Sequence, residues 1–208
     1  TAIDLTVGAA QLGLTDIVRM LWPGSAPGNA LHQAVFWSIR LPMTLTALVV
    51  GASLALAGLL MQTVLANPLA SPYTLGISAA AGFGAALAIL TGFSLGGALA
   101  LGTPLLASLM ALLACVPVYL LGQRRGMTPQ ILVLSGIVVL FFFQSLQSLL
   151  LFLASPEAMQ QIVFWLFGSL LKANMHGVAI TGVVLLCALF VSLRLAWRLT
   201  ALSAGEEQ

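Results

Sequence analysis

The chain is a succession of long apolar runs broken by short clusters of Gly, Pro and charge. Five runs stand out, about 41 to 65, 75 to 92, 103 to 121, 131 to 153 and 177 to 193, each near the roughly 20 residues that carry a helix across a bilayer. The interruptions predict where these helices stop. In Asn67-Pro68-Leu69-Ala70-Ser71-Pro72 two prolines stand four apart; each removes an amide donor and pushes its predecessor out of helical geometry. Gly92 to Gly97 reads as a glycine hinge, Arg124-Arg125-Gly126 and Ser155-Pro156-Glu157 as the next breaks, and Arg194 to Arg198 as the close of the last run. Residues 1–40 are more polar and are expected to form an external segment. Within it Leu14, Ile17, Val18 and Leu21 share one face of a short amphipathic helix, with Asp16 and Arg19 elsewhere, a pattern suited to the membrane interface. The expected fold is all-α, a polytopic membrane helix bundle with about five spans, forming one transmembrane domain over residues 1–208.

Composition sharpens this picture. Hydrophobic residues make up 61% of the chain and charged ones 6%, where a soluble domain carries about a quarter charged. From Leu41 to Gln123 there is no Asp, Glu, Lys or Arg. The net charge of +2 is too small, and its basic residues too scattered, for a nucleic-acid footprint. Cys115 and Cys187 lie singly inside apolar runs, which suggests neither a disulfide framework nor a zinc site. Counting alternation, Arg124, Arg125, Arg194 and Arg198 fall on one side. Arg19, Arg40 and Lys172 fall on the other, diluted by Asp4, Asp16 and Glu157. Basic loops face the cytoplasm, so residues 1–40 are placed outside and the Gln208 end inside. An external start implies a further span upstream. Gly205-Glu206-Glu207 reads as the opening of a polar helix with acids in its favourable first turn, so the chain is expected to be part of a longer protein.

Little in the chain suggests catalysis. There is no GxxxxGK[ST] phosphate loop, no HExxH, and no carboxylate inside a span to relay protons or ions. His32 and His176 border apolar runs and read as interfacial side chains, and Trp22, Trp37 and Trp197 suit an aromatic belt. The informative groups are uncharged. Serines such as Ser53, Ser108 and Ser135 can bond back to their own helix, whereas a glutamine amide is costly in hydrocarbon unless it faces water or another helix. Gln144, Gln147, Ser148 and Leu151 stand at i, i+3, i+4 and i+7 with Ser145 beside them, so they share a helix face. That face is either a wet pathway or interhelical glue, and Gln62 is open between the same two roles. Gly51 with Ala55, Ala80 with Gly84, and Gly82 with Ala86 repeat the small-xxx-small spacing of closely packed membrane helices.

Several of these motifs occur together in one known family. Arg40-Leu-Pro-Met43, Gly51-Ala-Ser-Leu-Ala-Leu-Ala-Gly58, Gln62, Asn67-Pro-Leu-Ala-Ser-Pro72 and Leu75-Gly76 closely resemble the signature of the FecCD-type permeases. These are the membrane subunits of type II ABC importers for ferric siderophores, haem and cobalamin. Further along, Trp165-Leu-Phe-Gly-Ser169 is similar to the family's turn before its sixth span, and Leu202-Ser-Ala-Gly-Glu-Glu207 to the start of its cytoplasmic coupling segment. The resemblance implies a fragment of a roughly ten-span permease, matching spans two to six without the first span or the C-terminal third.

The resemblance also implies partners and roles. The expected assembly contains a second permease copy, identical or not, two cytoplasmic ATPase subunits that hold ATP-Mg, an extracytoplasmic substrate-binding protein, and the lipid of the bacterial cytoplasmic membrane. The chain itself would bind no cofactor or metal and hydrolyse no ATP. By resemblance Arg40 docks the binding protein; Met43 replaces the second Arg of the family's pattern, so only one of its two docking contacts carries over. Thr128, Pro129 and Gln130 match the cytoplasmic gate. Gln144, Gln147 and Ser148, with Ser145, fall on a pathway-lining span, which favours the pathway over glue. Gly205, Glu206 and Glu207 match the ATPase contact. Asn67, Pro68 and Pro72 are expected to form a buried structural break, with Asn67 satisfying freed backbone groups. The implied function is import of an iron chelate, haem or cobalamin by ATP-driven alternating access. The competing class, a secondary transporter or non-transporting scaffold, lacks an intramembrane acid or base to couple ions.

Overall fold

The computed structural model describes residues 30–93 and 102–204, the stretch 198–204 as backbone only. The expected amphipathic helix at Leu14 to Trp22, the latter part of the glycine hinge, and the ATPase contact at Gly205, Glu206 and Glu207 lie outside the described residues. Every regular element among the described residues is helical. In chain order they are α1 (Ala30–Val35), a π-helical stretch (Phe36–Arg40), α2 (Leu41–Val64), α3 (Ile77–Thr91), α4 (Gly102–Arg125), α5 (Pro129–Leu153), α6 (Pro156–Phe167), a 3-10 turn (Leu170–Lys172) and α7 (Met175–Ala204).

Among the described residues four stretches, Ala30–Val64, Gly102–Arg125, Pro129–Leu153 and Met175–Trp197, are long and apolar enough to cross a membrane. The remaining expected span is α3, with 15 residues. At 1.5 Å per residue it covers about 22 Å, short of the roughly 30 Å hydrocarbon core. By packing, the chain divides into two compact units, one holding residues 30–56 and 169–194, the other residues 57–168 and 195–204 of the described chain.

In the first unit the helix begins earlier than the sequence suggested. Residues 30–40, expected to belong to an external segment, already wind into the helical stretch that continues as α2. Pro42 is the obstacle that this helix has to pass. It lacks an amide, and its ring would press on the carbonyl four residues back. Immediately before it the backbone widens into a π turn, in which the Leu41 amide donates to the Phe36 carbonyl, so the chain passes the proline without stopping. Phe36 is fully buried and meets Trp37 edge to face with ring centroids 5.4 Å apart. At the other end of this unit Asn174 caps α7, its Oδ1 accepting from the Gly177 amide at 2.7 Å. Arg194 lies over the Phe190 ring, 4.9 Å from its centroid.

In the second unit α3 is the hub, packed against α4, α5 and α6. Its small side chains make this possible: Ala80, Gly82, Gly84, Ala85, Ala86 and Ala88 are all buried. A Cβ on Gly84 would lie 2.5 Å from the Leu106 carbonyl oxygen of α4. At the start of α3 the approach to α5 is reciprocal: a Cβ on Gly76 would fall 2.6 Å from the Leu140 amide nitrogen, and one on Gly136 would fall 2.7 Å from the Leu75 Cα. Gly76 also has φ +73°, which only glycine adopts without strain. Around this seam Ala80, Ala114, Val118, Val139 and Phe143 form the buried core, with Phe83, Met110, Leu132 and Leu146 packed on it. The small-residue spacing therefore marks real contacts on α3. It does not on α2, where a Cβ on Gly51 would meet nothing within 4 Å.

A helix absent from the sequence expectation is α6. Ser155-Pro156-Glu157 read as a break, yet it is a helix start: Ser155 Oγ accepts from the Ala158 amide at 3.2 Å, Pro156 occupies the first turn and Glu157 complements the helix N-terminus. Gly168, with φ +72°, ends the helix.

Candidate functional site

The second unit brings together two segments that the sequence kept 60 residues apart. The first is the break after α2. The Asn67 amide reaches back to the Gln62 carbonyl at 3.1 Å, and Ala66 takes φ +44°, the left-handed region that a residue with a Cβ occupies only at a cost. The chain then folds into successive tight turns, with backbone bonds from Ala70 to Asn67, Thr74 to Ser71 and Gly76 to Tyr73. Two polar side chains hold the freed groups. Asn67 Oδ1 accepts from the Leu69 amide at 2.9 Å, and Gln62 Nε2 donates to the Pro68 carbonyl at 3.0 Å. Leu65 and Ala70 are buried and anchor the loop, Asn67 and Pro72 are half-buried, and Pro68 and Leu69 project outward, Leu69 being 84% exposed. The break is thus internally satisfied and only partly covered within its unit.

The second segment is the start of α5. Thr128 caps the helix, its Oγ1 accepting from the Ile131 amide at 3.4 Å, and Pro129 follows at the first helical position. The two segments face each other across a cavity of about 810 Å³. Ala66 and Asn67 line one side; Thr128, Pro129, Gln130 and Ile137 line the other, and no charged residue contributes. The structure therefore brings Asn67 of the expected structural break, though not Pro68 or Pro72, into one neutral groove with Thr128, Pro129 and Gln130.

Along α5 the polar residues separate by surroundings. Gln144 and Ser148 are exposed, Gln147 is half-buried against α3 and α6, and exposed Ser145 spends its hydroxyl on the Phe141 carbonyl at 2.8 Å. Ser53 and Ser108 are likewise bonded to their own helices. At 100° per residue, Gln130, Ile137, Gln144 and Ser148 fall within about 40° of one another. They form one line that starts in the groove and runs about 27 Å along the helix, close to the thickness of a hydrocarbon core. Gln147 sits at the edge of this line, where the helix turns into its packing seam.

Arg40 lies in the first unit, half-buried at the end of the π stretch. Among the described residues no group of three or more His, Cys, Asp or Glu side chains is placed to hold a metal ion. The anchoring role of Gln62 and the left-handed Ala66 were not legible in the sequence. The hydrogen bond from Gln62 crosses the turn to a carbonyl six residues on, and nothing in the residue types around Ala66 marks a positive φ.

Comparison with known proteins places this architecture. The model of the FecCD transport family matches residues 1–208. The molybdate import system permease protein MolB of Haemophilus influenzae is 35% identical over 99% of this chain and 61% of its own length. The ferric enterobactin transport system permease protein FepD of Escherichia coli is 33% identical over 100% of this chain and 60% of its own. A solved structure described as a metal-chelate type ABC transporter in an inward-facing conformation superposes with a TM-score of 0.82 at 31% identity, covering 99% of this chain and 61% of that one. The chain thus spans about three fifths of the length of the curated relatives it matches. With its motifs, its helices of membrane-crossing length and a family match from end to end, this is a multi-pass protein of the inner (cytoplasmic) membrane, and it belongs to the FecCD transport family.

Proposed function

We propose that this chain forms the membrane pathway of a binding-protein-dependent ABC importer, in which ATP hydrolysis by partner subunits drives alternating access. The observation that carries this proposal is the line Gln130, Ile137, Gln144 and Ser148 on α5. It begins in the neutral groove between the Asn67 break and Thr128-Pro129-Gln130, and it extends over about the thickness of the bilayer core. In this account the 128–130 segment and the Asn67 turn are the cytoplasmic gate. The basic residues Arg124 and Arg125 at the end of α4 support a cytoplasmic assignment for that end of α5. Arg40 docks the binding protein outside, and Gly205, Glu206 and Glu207 contact the ATPase. The assembly contains a second permease copy and two ATPase subunits that hold ATP-Mg.

The chemistry of the line supports one class of cargo. Amides and hydroxyls offer hydrogen bonds without charge, which suits a bulky chelate whose metal is already satisfied by its own ligands, and we assign an iron chelate, with haem and cobalamin as related cargoes. MolB, similar over nearly the whole chain, is a molybdate permease by name, and this favours a second reading in which the cargo is a small oxyanion. A secondary transporter is disfavoured, because among the described residues the one carboxylate is Glu157, in the first turn of α6, so no acid stands inside a described span to couple protons or ions.

The test is ATPase activity of the full-length permease with its ATPase partner and binding protein in lipid, screened with ferric enterobactin, haem, cobalamin and molybdate. Stimulation by a chelate, lowered by Arg40→Glu, is the expected result. Stimulation by molybdate alone would select the oxyanion. Cargo uptake that continued with a hydrolysis-dead ATPase partner and followed the proton gradient would overturn the importer reading.

A further inference from the structure

The glycines of α3 differ in what their missing side chains leave room for. A Cβ on Gly76 or Gly84 would strike the backbone of a neighbouring helix. A Cβ on Gly82 would instead meet two side-chain ends, the Gln147 Oε1 at 2.7 Å and the Leu166 Cδ2 at 3.0 Å. Gly82 therefore makes room for an amide and not for a helix. That amide stands where α3, α5 and α6 come together, half-buried, and among the described residues it has no hydrogen-bond partner. An amide held in a seam without a partner retains the capacity to bond something that passes. Gln147 also borders the line through Gln144 and Ser148, one helical turn from each other on its flank.

We propose that Gly82 is a positioning residue for Gln147: the absent side chain creates the niche that holds the Gln147 amide at the junction of α3, α5 and α6, on the border of the translocation line. The inference rests on the pathway reading of α5. It assigns specificity to a residue that touches no cargo, because the geometry of the amide depends on the empty space across from it. It also explains why position 82 carries no side chain at a site where the neighbours are flexible. An added methyl group would be accommodated by swinging the amide away and shifting Leu166, leaving the α3–α4 and α3–α5 seams intact.

The test uses the full-length permease with its ATPase partner and binding protein in proteoliposomes, with radiolabelled ferric enterobactin, haem, cobalamin and molybdate as the four probes, and reads KM and maximal rate separately. Gln147→Ala is expected to raise KM for the transported probe about fivefold, the worth of one neutral hydrogen bond, with the maximal rate little changed. Gly82→Ala should raise KM by the same factor, and the double variant should be no worse than Gln147→Ala alone. Uptake of none of the four probes by the wild-type assembly would remove the importer reading and the inference with it, whereas an unchanged KM in Gln147→Ala would overturn the inference alone. An altered Gln147→Ala beside an unaltered Gly82→Ala would overturn the inference alone, as would additive effects or rescue of Gly82→Ala by Leu166→Ala in place of a change at Gln147. If Gly82→Ala fails to assemble, recovery by Gln147→Asn, whose amide is one methylene shorter, supports the niche; no recovery overturns it.

Discussion

Gly84→Ala is the perturbation whose cost the structure sets most directly. The new Cβ would lie 2.5 Å from the Leu106 carbonyl oxygen and 2.8 Å from the Met110 Cγ, whereas ordinary contact begins at 3.4 Å. The nearest atom is backbone, so it cannot be relieved by a rotamer change, and α3 and α4 must separate by about 0.9 Å. Overpacking of this kind costs about 1 to 3 kcal/mol. Gly→Ala also removes a helix-propensity penalty of about 1 kcal/mol, so the comparison needs a glycine that gains the propensity without the clash. Gly51→Ala on α2 supplies it, because nothing lies within 4 Å of its Cβ position. The difference between the two variants isolates the packing cost, and at roughly 2 to 4 °C per kcal/mol it separates their melting temperatures by about 2 to 12 °C. The assay is thermal unfolding of the two full-length variants in one detergent at one scan rate, since unfolding of such a protein is read as a rate-dependent midpoint. Equal midpoints for Gly84→Ala and Gly51→Ala would refute the close α3–α4 approach.

Three further outcomes follow from the loop and the helix ends. Gln62→Ala removes the bond to the Pro68 carbonyl and is expected to cost about 1 kcal/mol, seen as faster amide exchange across residues 67–70; unchanged exchange would deny Gln62 its anchoring role. Ala66→Gly relieves the φ of +44° and is expected to raise stability by about 1 kcal/mol, so a lowered melting temperature would contradict the left-handed turn. Ser155→Ala removes the cap on α6, at a cost of about 1 kcal/mol, and should raise exchange at the Ala158 amide without altering α5; an unaltered Ala158 would show that the cap contributes nothing.

What could be read from the sequence depended on how local the cause was. The long runs of α2, α4 and α5 are apolar on all sides and end at Pro, Gly or Arg, so their extents were legible within a few residues. The α6 helix was not, because its start carries Ser155, Pro156 and Glu157, which mark a cap as readily as a break, and its 12 residues hold Glu157, Gln160 and Gln161, too polar for a span. Residues 30–40 read as an external segment because the charge-free run begins only after Arg40, and only the backbone shows the π turn that carries the helix past Pro42. The site was partly legible. The spacing of Gln144, Gln147 and Ser148 placed them on one flank, but the sequence could not say that Gln147 turns inward to face Gly82, a contact between residues far apart in the chain. Nor could it show that Asn67 and Thr128 share a groove.

The central claim is that one flank of α5 faces a water-filled path. The measurement that tests it most directly is cysteine accessibility, with Cys115 and Cys187 replaced and single cysteines placed at Gln130, Ile137, Gln144 and Ser148 of the full-length permease in its assembled transporter. Phe142 and Leu149, exposed on α5 about 100° or more around the helix from that line, serve as lipid-facing controls. The account predicts that a charged, membrane-impermeant thiol reagent modifies the four line positions, with Ile137, Gln144 and Ser148 changing rate when ATP binds, and that it leaves positions 142 and 149 unmodified. Modification of the controls at the same rate as the line, or protection of Ile137, Gln144 and Ser148 in every nucleotide state, would contradict it.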